Sequence, residues 1–329
     1  FNLLHLAAIQ NKNEFSVEFL VNFFENEFLS DEFEIILKEE TNLKTIPLHY
    51  AVATSNLNVI KVFFETYEKY FENDKIIEFL HAEDVDGNNL LHYSQFSHST
   101  KVLEFFLQKI KSLIKTEEML KVYFLKRGKA ISNALHWSIK NQNEVAYIFL
   151  FQEVYCKHFN LDEFIFDADE NGDNILHLFM KFGTIKNLKF TLEQLSREIL
   201  DILLSSKNKF DKNILHCAAE ANQNAIILIY LLTFIKSQFG SAKVKNLLSD
   251  GYNLNDFPLH CAIKSDNLKS IFSIYEENFE KHEILGFLRH KNDKFLHLAA
   301  SFVKSREVFE FVWSKIREYF TVDDELKEV

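Results

Sequence analysis

Thirteen histidines and three cysteines are the residues of this 329-residue chain best suited to bind a metal or act as nucleophile and base. Nine of the histidines follow a leucine: His81 out of register, and eight at a recurring spacing, in Leu4-His5, Leu48-His49, Leu91-His92, Leu135-His136, Leu176-His177, Leu215-His216, Leu259-His260 and Leu296-His297. A zinc site needs about four ligands converging on one point, with bonds near 2 Å. One residue recurring in successive copies of a unit cannot converge in that way, because packed helices stand about 8–10 Å apart. His81, His98, His158, His282 and His290 complete no ligand spacing, and His282-Glu283 lacks the second histidine of a metalloprotease helix. Cys217 and Cys261 each follow a repeat histidine. Equivalent places one copy apart exceed the Cα separation of about 7 Å that a disulfide tolerates. Both read as reduced packing residues, and with Cys156 they make an odd number, which fits a reducing compartment. No Gly-rich phosphate loop, Gly-x-Ser-x-Gly elbow or CxxC is present. The expectation is a non-enzyme with no catalytic residue, no metal and no cofactor.

The elements that must position the histidines recur with them. The eight recurring Leu-His pairs are successively 44, 43, 44, 41, 39, 44 and 37 residues apart. A near-constant spacing over the whole chain means one supersecondary unit copied in tandem, stabilised by its neighbours. The copies run approximately over 1–41, 42–84, 85–128, 129–169, 170–208, 209–252, 253–289 and 290–329, as a single solenoid over 1–329. The chain opens at Phe1 inside a copy and closes where another would follow, so it reads as a piece of a longer array or larger protein.

Within a copy, the residue three after the leucine is small in seven of eight cases (Ala7, Ala51, Ser94, Ser138, Ala218, Ala262, Ala299), Phe179 being the exception. A small residue there lets a second helix lie close. Asn2, Asn89, Asn133, Asn174 and Asn213 stand two before the leucine, placed to cap the first helix. Asn11, Gly183, Asn222 and Asp266, seven after it, tolerate left-handed backbone and mark the turn into a longer second helix. Apolar periodicity places second helices near 99–115, 144–159, 222–239 and 306–320. Start signals at Ser30-Asp31-Glu32, Ser196-Arg197-Glu198 and Thr321-Val322-Asp323-Asp324 open a third, shorter helix. Each copy is therefore short helix, long helix, shorter helix, loop, with little strand.

The frame Leu-His-x-Ala-Ala, as in Leu4-His5-Leu6-Ala7-Ala8, Leu215-His216-Cys217-Ala218-Ala219 and Leu296-His297-Leu298-Ala299-Ala300, resembles the ankyrin repeat. Pro47-Leu48-His49 and Pro258-Leu259-His260 keep that family's proline, and Asp84-Val85-Asp86-Gly87 and Asp169-Glu170-Asn171-Gly172 keep its turn. The unit departs from the family in length: about 42 residues on average against about 33. Most copies also lack the proline and the Asp-x-x-Gly turn. The resemblance implies an all-α solenoid of eight ankyrin-like repeats, curved to the right or left, with an extra helical segment in each. It implies that His5, His49, His92, His136, His177, His216, His260 and His297 brace backbone groups within and between repeats. It also implies that partner contacts come from the turn before the first helix and from that helix's exposed end. By position these are Thr45, Asn88, Phe96, Lys140, Asp173, Lys181, Phe182, Lys212, Glu220, Asp256, Lys264, Asp293 and Phe302.

A net charge of −11 argues against nucleic acid as partner. The basic cluster Lys126-Arg127-Gly128-Lys129 is short enough to be a solvated loop. The longest apolar run, Ala225 to Ile235, is about half of what a bilayer needs, so no membrane insertion is expected. These features together read as a cytoplasmic protein-interaction scaffold binding another protein on its concave face. Two other functions fit the sequence. One is an architectural or elastic spacer in a larger channel, toxin or adaptor. The other is a host-directed effector of an intracellular bacterium or symbiont, acting in the host cytosol, which the AT-rich codon bias of the abundant Phe, Lys, Asn and Ile would suit. Uncapped terminal copies would also favour end-to-end self-association.

Overall fold

A computed structural model describes residues 1–10, 14–128, 130, 132–221, 225–251, 256–265, 267–303 and 305–320, with backbone alone at 290–294. Asn11, Asn222, Asp266, the side chain of Asp293 and the third-helix signal at Thr321–Asp324 lie outside the described residues. Every regular element among those described is helical. The chain forms two compact units, Phe1–Glu170 and Asn171–Val329, each holding four Leu-His copies.

In the first unit the short helices are Leu3–Gln10, Pro47–Ala53, Leu90–Tyr93 and Ala134–Lys140. The long ones are Phe15–Glu27, Leu57–Tyr70, Thr100–Leu113 and Glu144–Phe149, the last continuing through a π segment, Leu150–Tyr155. The third helices are Ser30–Lys38, Asn73–Leu80, Glu117–Phe124 and Leu161–Phe164. First helices pack on first helices and second on second, so the unit is an α-solenoid of three-helix layers. The second unit repeats the plan with Ile175–Phe182, Ile214–Glu220 and Pro258–Ala262 as first helices. Its second helices are Ile185–Gln194, Ala225–Phe239, Leu268–Asn278 and Arg306–Tyr319, and its third helices begin with Arg197–Ser205 and Ser241–Ser249. The final third helix does not stop: Lys281–Phe302 runs straight into the last Leu-His pair. Leu296 lies only 37 residues after Leu259, the shortest spacing in the chain, and no turn separates the two helices there.

Short helices leave many terminal carbonyls and N–H groups without an intrahelical partner. The frame asparagines answer both needs. Asn174 Oδ1 accepts from the backbone of Leu176 and His177 at 3.0 and 3.1 Å, while its Nδ2 donates to the Leu203 carbonyl at the end of the third helix. Asn213 does the same for Leu215, His216 and Leu247, and Asn2 for His5 and Ile36. Asn2, Asn174 and Asn213 thus lock the start of the first helix to the end of the third in their own copies, while Asn89 and Asn133 cap the start of the first helix. The third helix is then tied to the next copy by a buried tyrosine. Tyr67, Tyr155 and Tyr275 donate their hydroxyls to the carbonyls of Leu37, Phe124 and Leu248 at 3.3, 3.0 and 2.6 Å. Tyr155 stands 12 residues after its helix cap Asn143 (155 − 143), against 11 for Tyr67 after Asn56 (67 − 56), and the π segment between absorbs the extra residue.

The turn before the first helix keeps its shape where glycine is missing. Gly87 and Gly172 have φ of 77° and 74°, and Lys44 and Asp211 hold the same place at 57° and 60°. The side chain that opens the turn holds it: Asp84 Oδ1 accepts from Asp86 and Asn88, Thr41 Oγ1 from Leu43 and Thr45, and Asn208 Oδ1 from Phe210 and Lys212. Successive turns are joined by single backbone bonds, Val85 N–H to Leu43 O and Lys209 N–H to Asn171 O, in place of a strand pair. At the other turn the sequence expectation needs one correction. Ser55 and Gln142 are left-handed, but Gly183 has φ −72°. Gly183 is required by crowding instead, since a Cβ there would lie 2.5 Å from the ring of Phe179, the one bulky residue at the small position.

Tyr67→Phe and Tyr275→Phe should each cost about 1–2 kcal/mol, because a buried carbonyl loses its donor. Urea denaturation with unchanged far-UV dichroism checks this, and a change below about 0.3 kcal/mol would remove the tyrosine clasp from the account. Lys44→Gly should raise stability by about 1 kcal/mol by relieving the left-handed strain, again read from the denaturation midpoint.

Candidate functional site

Seven of the eight repeat histidines, all but His297, are buried at the junction between the first helix and the following turn. Nε2 of His5, His92, His177 and His216 lies 3.1 Å from the carbonyl oxygen of Thr45, Ser132, Lys212 and Asp256. Each of these carbonyls belongs to the residue three before the next leucine of the frame. His49 reaches the Ala82 carbonyl at 3.2 Å. A carbonyl only accepts, so Nε2 carries a proton, while Nδ1 of His5, His92, His177 and His216 also lies 2.7–2.8 Å from the Oδ1 of the capping asparagine. Nδ1 is met by the backbone N–H that precedes the helix: Asn2, Ile46, Asn89, Asn213 and Phe257 donate to His5, His49, His92, His216 and His260 at 3.1–3.3 Å. In His5, His49, His92 and His216 both ring nitrogens are used by the backbone and none is offered to substrate. Burial holds His49, His92, His136 and His216 down to about 4, so the rings are neutral at physiological pH, and burial also lowers His5. His297 corrects the expectation of a complete set: it is exposed on the continuous helix Lys281–Phe302.

The sequence did not point to one convergence of reactive side chains. Asp173, His177 and Cys217 are all buried, with one potential ligand atom from each within 4.8 Å of the others. They come from adjacent copies, through different residue types, which a comparison of equivalent positions overlooks. Their chemistry is already committed. The Lys181 ammonium pairs with Asp173 Oδ2, and the Asn208 amide donates to Asp173 Oδ1 at 2.8 Å. His177 Nε2 serves the Lys212 carbonyl. Burial pushes the Cys217 thiol up to about 12, so it is no thiolate at neutral pH. A cation would have to displace the lysine and break the histidine brace. The cluster is best understood as an ion-paired joint between two copies.

The residues expected to touch a partner separate into two sets. Thr45, Asn88 and Asp173 are buried, which corrects their assignment to an accessible surface. Thr45 is bonded to Thr41, Asn88 to Asp84, and Asp173 to Lys181 and Asn208. Their polar atoms build the turn and its joint. Lys140, Lys181, Lys212, Glu220 and Asp256 are half-buried, and Lys264 is exposed. Lys140 pairs with the buried Asp169 at 2.9 Å, and Lys212 pairs with Glu220. Phe96, Phe182 and Phe302 are 43%, 38% and 45% exposed. The Lys264 ammonium lies 4.4 Å from the Phe302 ring.

Aromatic side chains form a row in the first unit. The residue just after the repeat histidine is Tyr50, Tyr93 and Trp137 in successive copies, each half-buried. The ring of each packs edge-on against the histidine of the copy before, at 6.0, 4.7 and 5.9 Å. Phe96 fills the space between Tyr93 and Trp137, at 6.4 and 6.1 Å. In the second unit the same position is Leu178, Cys217 and Cys261, all buried, and Leu298, half-buried.

No family model matches the chain, and no curated protein matches it in sequence. Solved structures match it in fold. The ankyrin repeat domain of Bcl-3, a member of the IkappaB protein family, is 19% identical with a TM-score of 0.51, over 83% of this chain and 98% of its own. The human ASB11 ankyrin repeat domain is 14% identical with a TM-score of 0.50, over 83% of this chain and 97% of its own. A chain of the complex between the predatory endopeptidase Bd0816 of Bdellovibrio bacteriovorus and immunity protein Bd3460 matches at 19% identity and a TM-score of 0.46, over 70% of this chain and 98% of its own. The chain has a divergent ankyrin-repeat fold.

The buried histidines make stability depend on pH. In the unfolded chain they take up protons near 6.5, whereas folded they hold out until about 4. The unfolded state binds more protons in that window, so stability is full above pH 7, falls from about 6.5 to about 4, and levels off below for these groups. Thermal melts across this range should show the fall, and His92→Gln should make it shallower. A melting temperature constant from pH 7 to 5 would contradict neutral buried rings.

Proposed function

We propose that the chain is a non-enzymatic interaction scaffold, one array of eight copies over 1–329, that binds a partner protein on its concave, first-helix side. The observation that carries the reading is the row Tyr50, Tyr93, Phe96 and Trp137, in which aromatic rings braced by the histidine frame keep part of their surface in water. Rigid, half-exposed aromatics lose little conformational entropy on binding and are the residues from which partner hot spots are most often built. Lys140 stands at a first-helix end of the same unit, and Lys181, Phe182, Lys212, Glu220, Lys264 and Phe302 offer contacts of the same kind in the second unit, with Asp256 at a turn there and Asp293 within the continuous helix Lys281–Phe302. They differ from copy to copy, while the leucine and histidine recur in all eight copies, the small residue in seven and the asparagine in five. A uniform frame with a non-uniform edge supports recognition of one partner better than length alone. The net charge of −11 opposes a nucleic acid in that role. Three free thiols fit work in a reducing compartment such as the cytosol.

Affinity capture with the whole chain, run beside a Phe96→Ala variant and a Phe96→Ala, Phe182→Ala, Phe302→Ala triple variant, tests the reading. The wild-type chain should hold a protein partner in stoichiometric amount. The triple variant should lose it at least about tenfold, worth about 1.4 kcal/mol. Its melting temperature should stay within about 2 °C. Equal capture by all three proteins would reject these aromatics as the contact, and a large fall in melting temperature would reassign them to the core.

A further inference from the structure

We infer a second docking surface, on the second-helix side of the unit Asn171–Val329, that takes an amphipathic helix of a partner protein. Ala225–Phe239 is apolar nearly all round, and such a helix is normally enclosed. Ile227, Leu228, Leu231, Leu232 and Ile235 are buried as expected, yet Ile226 and Ile229 remain 52% and 51% exposed. In three other long helices the corresponding outward places carry polar or charged groups. In Leu57–Tyr70 they are Asn58, Lys61 and Glu65, and in Thr100–Leu113 they are Lys101, Glu104 and Gln108. In Ile185–Gln194 they are Lys186, Lys189 and Glu193. Only Ala225–Phe239 among these four turns branched aliphatic side chains to water at these places.

The second observation is independent of the first. Ala225–Phe239 and the next long helix, Leu268–Asn278, approach each other less closely than Ile185–Gln194 approaches Ala225–Phe239. A groove of about 470 Å³ opens between them. Leu232, Val244 and Ile274 are its buried apolar floor, and Ile229 is on one wall. Ser270 and Ser273, too small to close the gap, stand on the other wall. Lys236 and Glu277 stand on the two opposing helices at the rim, and neither makes an ion pair among the described residues. An apolar floor between two helices, with a base on one bank and an acid on the other, complements a third helix. That helix would carry an apolar stripe, carboxylates on the flank facing Lys236 and ammonium groups on the flank facing Glu277. The acid on the rim and the net negative chain set this surface against anionic lipid.

The test uses the full chain and a synthetic amphipathic peptide of about 16 residues, with leucines at helical spacing, glutamates along one flank and lysines along the other. Fluorescence anisotropy should show saturable binding in the range of about 1–100 μM, absent for a scrambled peptide of the same composition. Ile229→Lys, which restores the charge found in sibling helices, and Ser273→Trp, which fills the groove, should each weaken binding at least about tenfold without lowering the melting temperature. The inference is overturned if no saturable binding appears up to about 1 mM, or if both variants bind as the wild type does. It is also overturned if sedimentation shows a dimer that Ile229→Lys dissolves, which gives the surface to a second copy. Binding to phosphatidylserine-containing vesicles that Ile229→Lys abolishes would give it to lipid.

Discussion

A helix of seven to fifteen residues has about as many unpaired terminal groups as internal bonds, and nearly every helix of this chain is that short. Glycine is the usual way to close a helix C-terminus, and the whole chain has seven glycines. The side chains of three residue types take over that task. Asparagine caps one helix start and one helix end at once, tyrosine closes the third helix from the next copy, and histidine closes the turn that follows it. Because the tyrosine and histidine bonds reach 27 to 40 residues along the chain, satisfying local groups and stacking the copies are the same act.

Much of this frame was legible in the sequence, since the leucine, histidine, asparagine and small residue recur in register. The asparagine caps follow from residue type and position alone. The tyrosine clasp was hidden because its distance from the leucine changes: Tyr67, Tyr155 and Tyr275 lie 19, 20 and 16 residues on. A π segment in one helix displaces Tyr155, and Tyr275 stands about one helical turn nearer its cap Asn267 than Tyr67 stands to Asn56, so counting cannot see the register. The turn geometry of Lys44 and Asp211 was equally hidden, since neither residue type announces a left-handed backbone. His297 fails for the converse reason. Its motif is intact, but the shortened spacing removes the turn that a buried ring would brace.

The same constraint decides which residues are left for recognition. Polar residues beside the frame vary from copy to copy whether they face water or complete a buried joint, so variation alone did not separate Thr45, Asn88 and Asp173 from Lys264. The backbone needs buried hydrogen-bond partners, and it draws them from the nearest polar side chains. Aromatic and aliphatic residues carry no such obligation, and where they stay exposed another explanation is required. Tyr50, Tyr93, Phe96 and Trp137 in the first unit, and Ile226 and Ile229 in the second, are residues of that kind.

The claim on which the account rests is that the repeat histidines are neutral structural braces with the proton on Nε2. Nitrogen-15 NMR of the imidazoles reads tautomer and charge directly. The account predicts the Nε2–H form for His5, His49, His92, His177 and His216, with no protonation of His49, His92 or His216 down to about pH 5 and no shift on adding zinc. Rings titrating near 6.5, an Nδ1–H tautomer, or zinc-dependent shifts at His177 would contradict it.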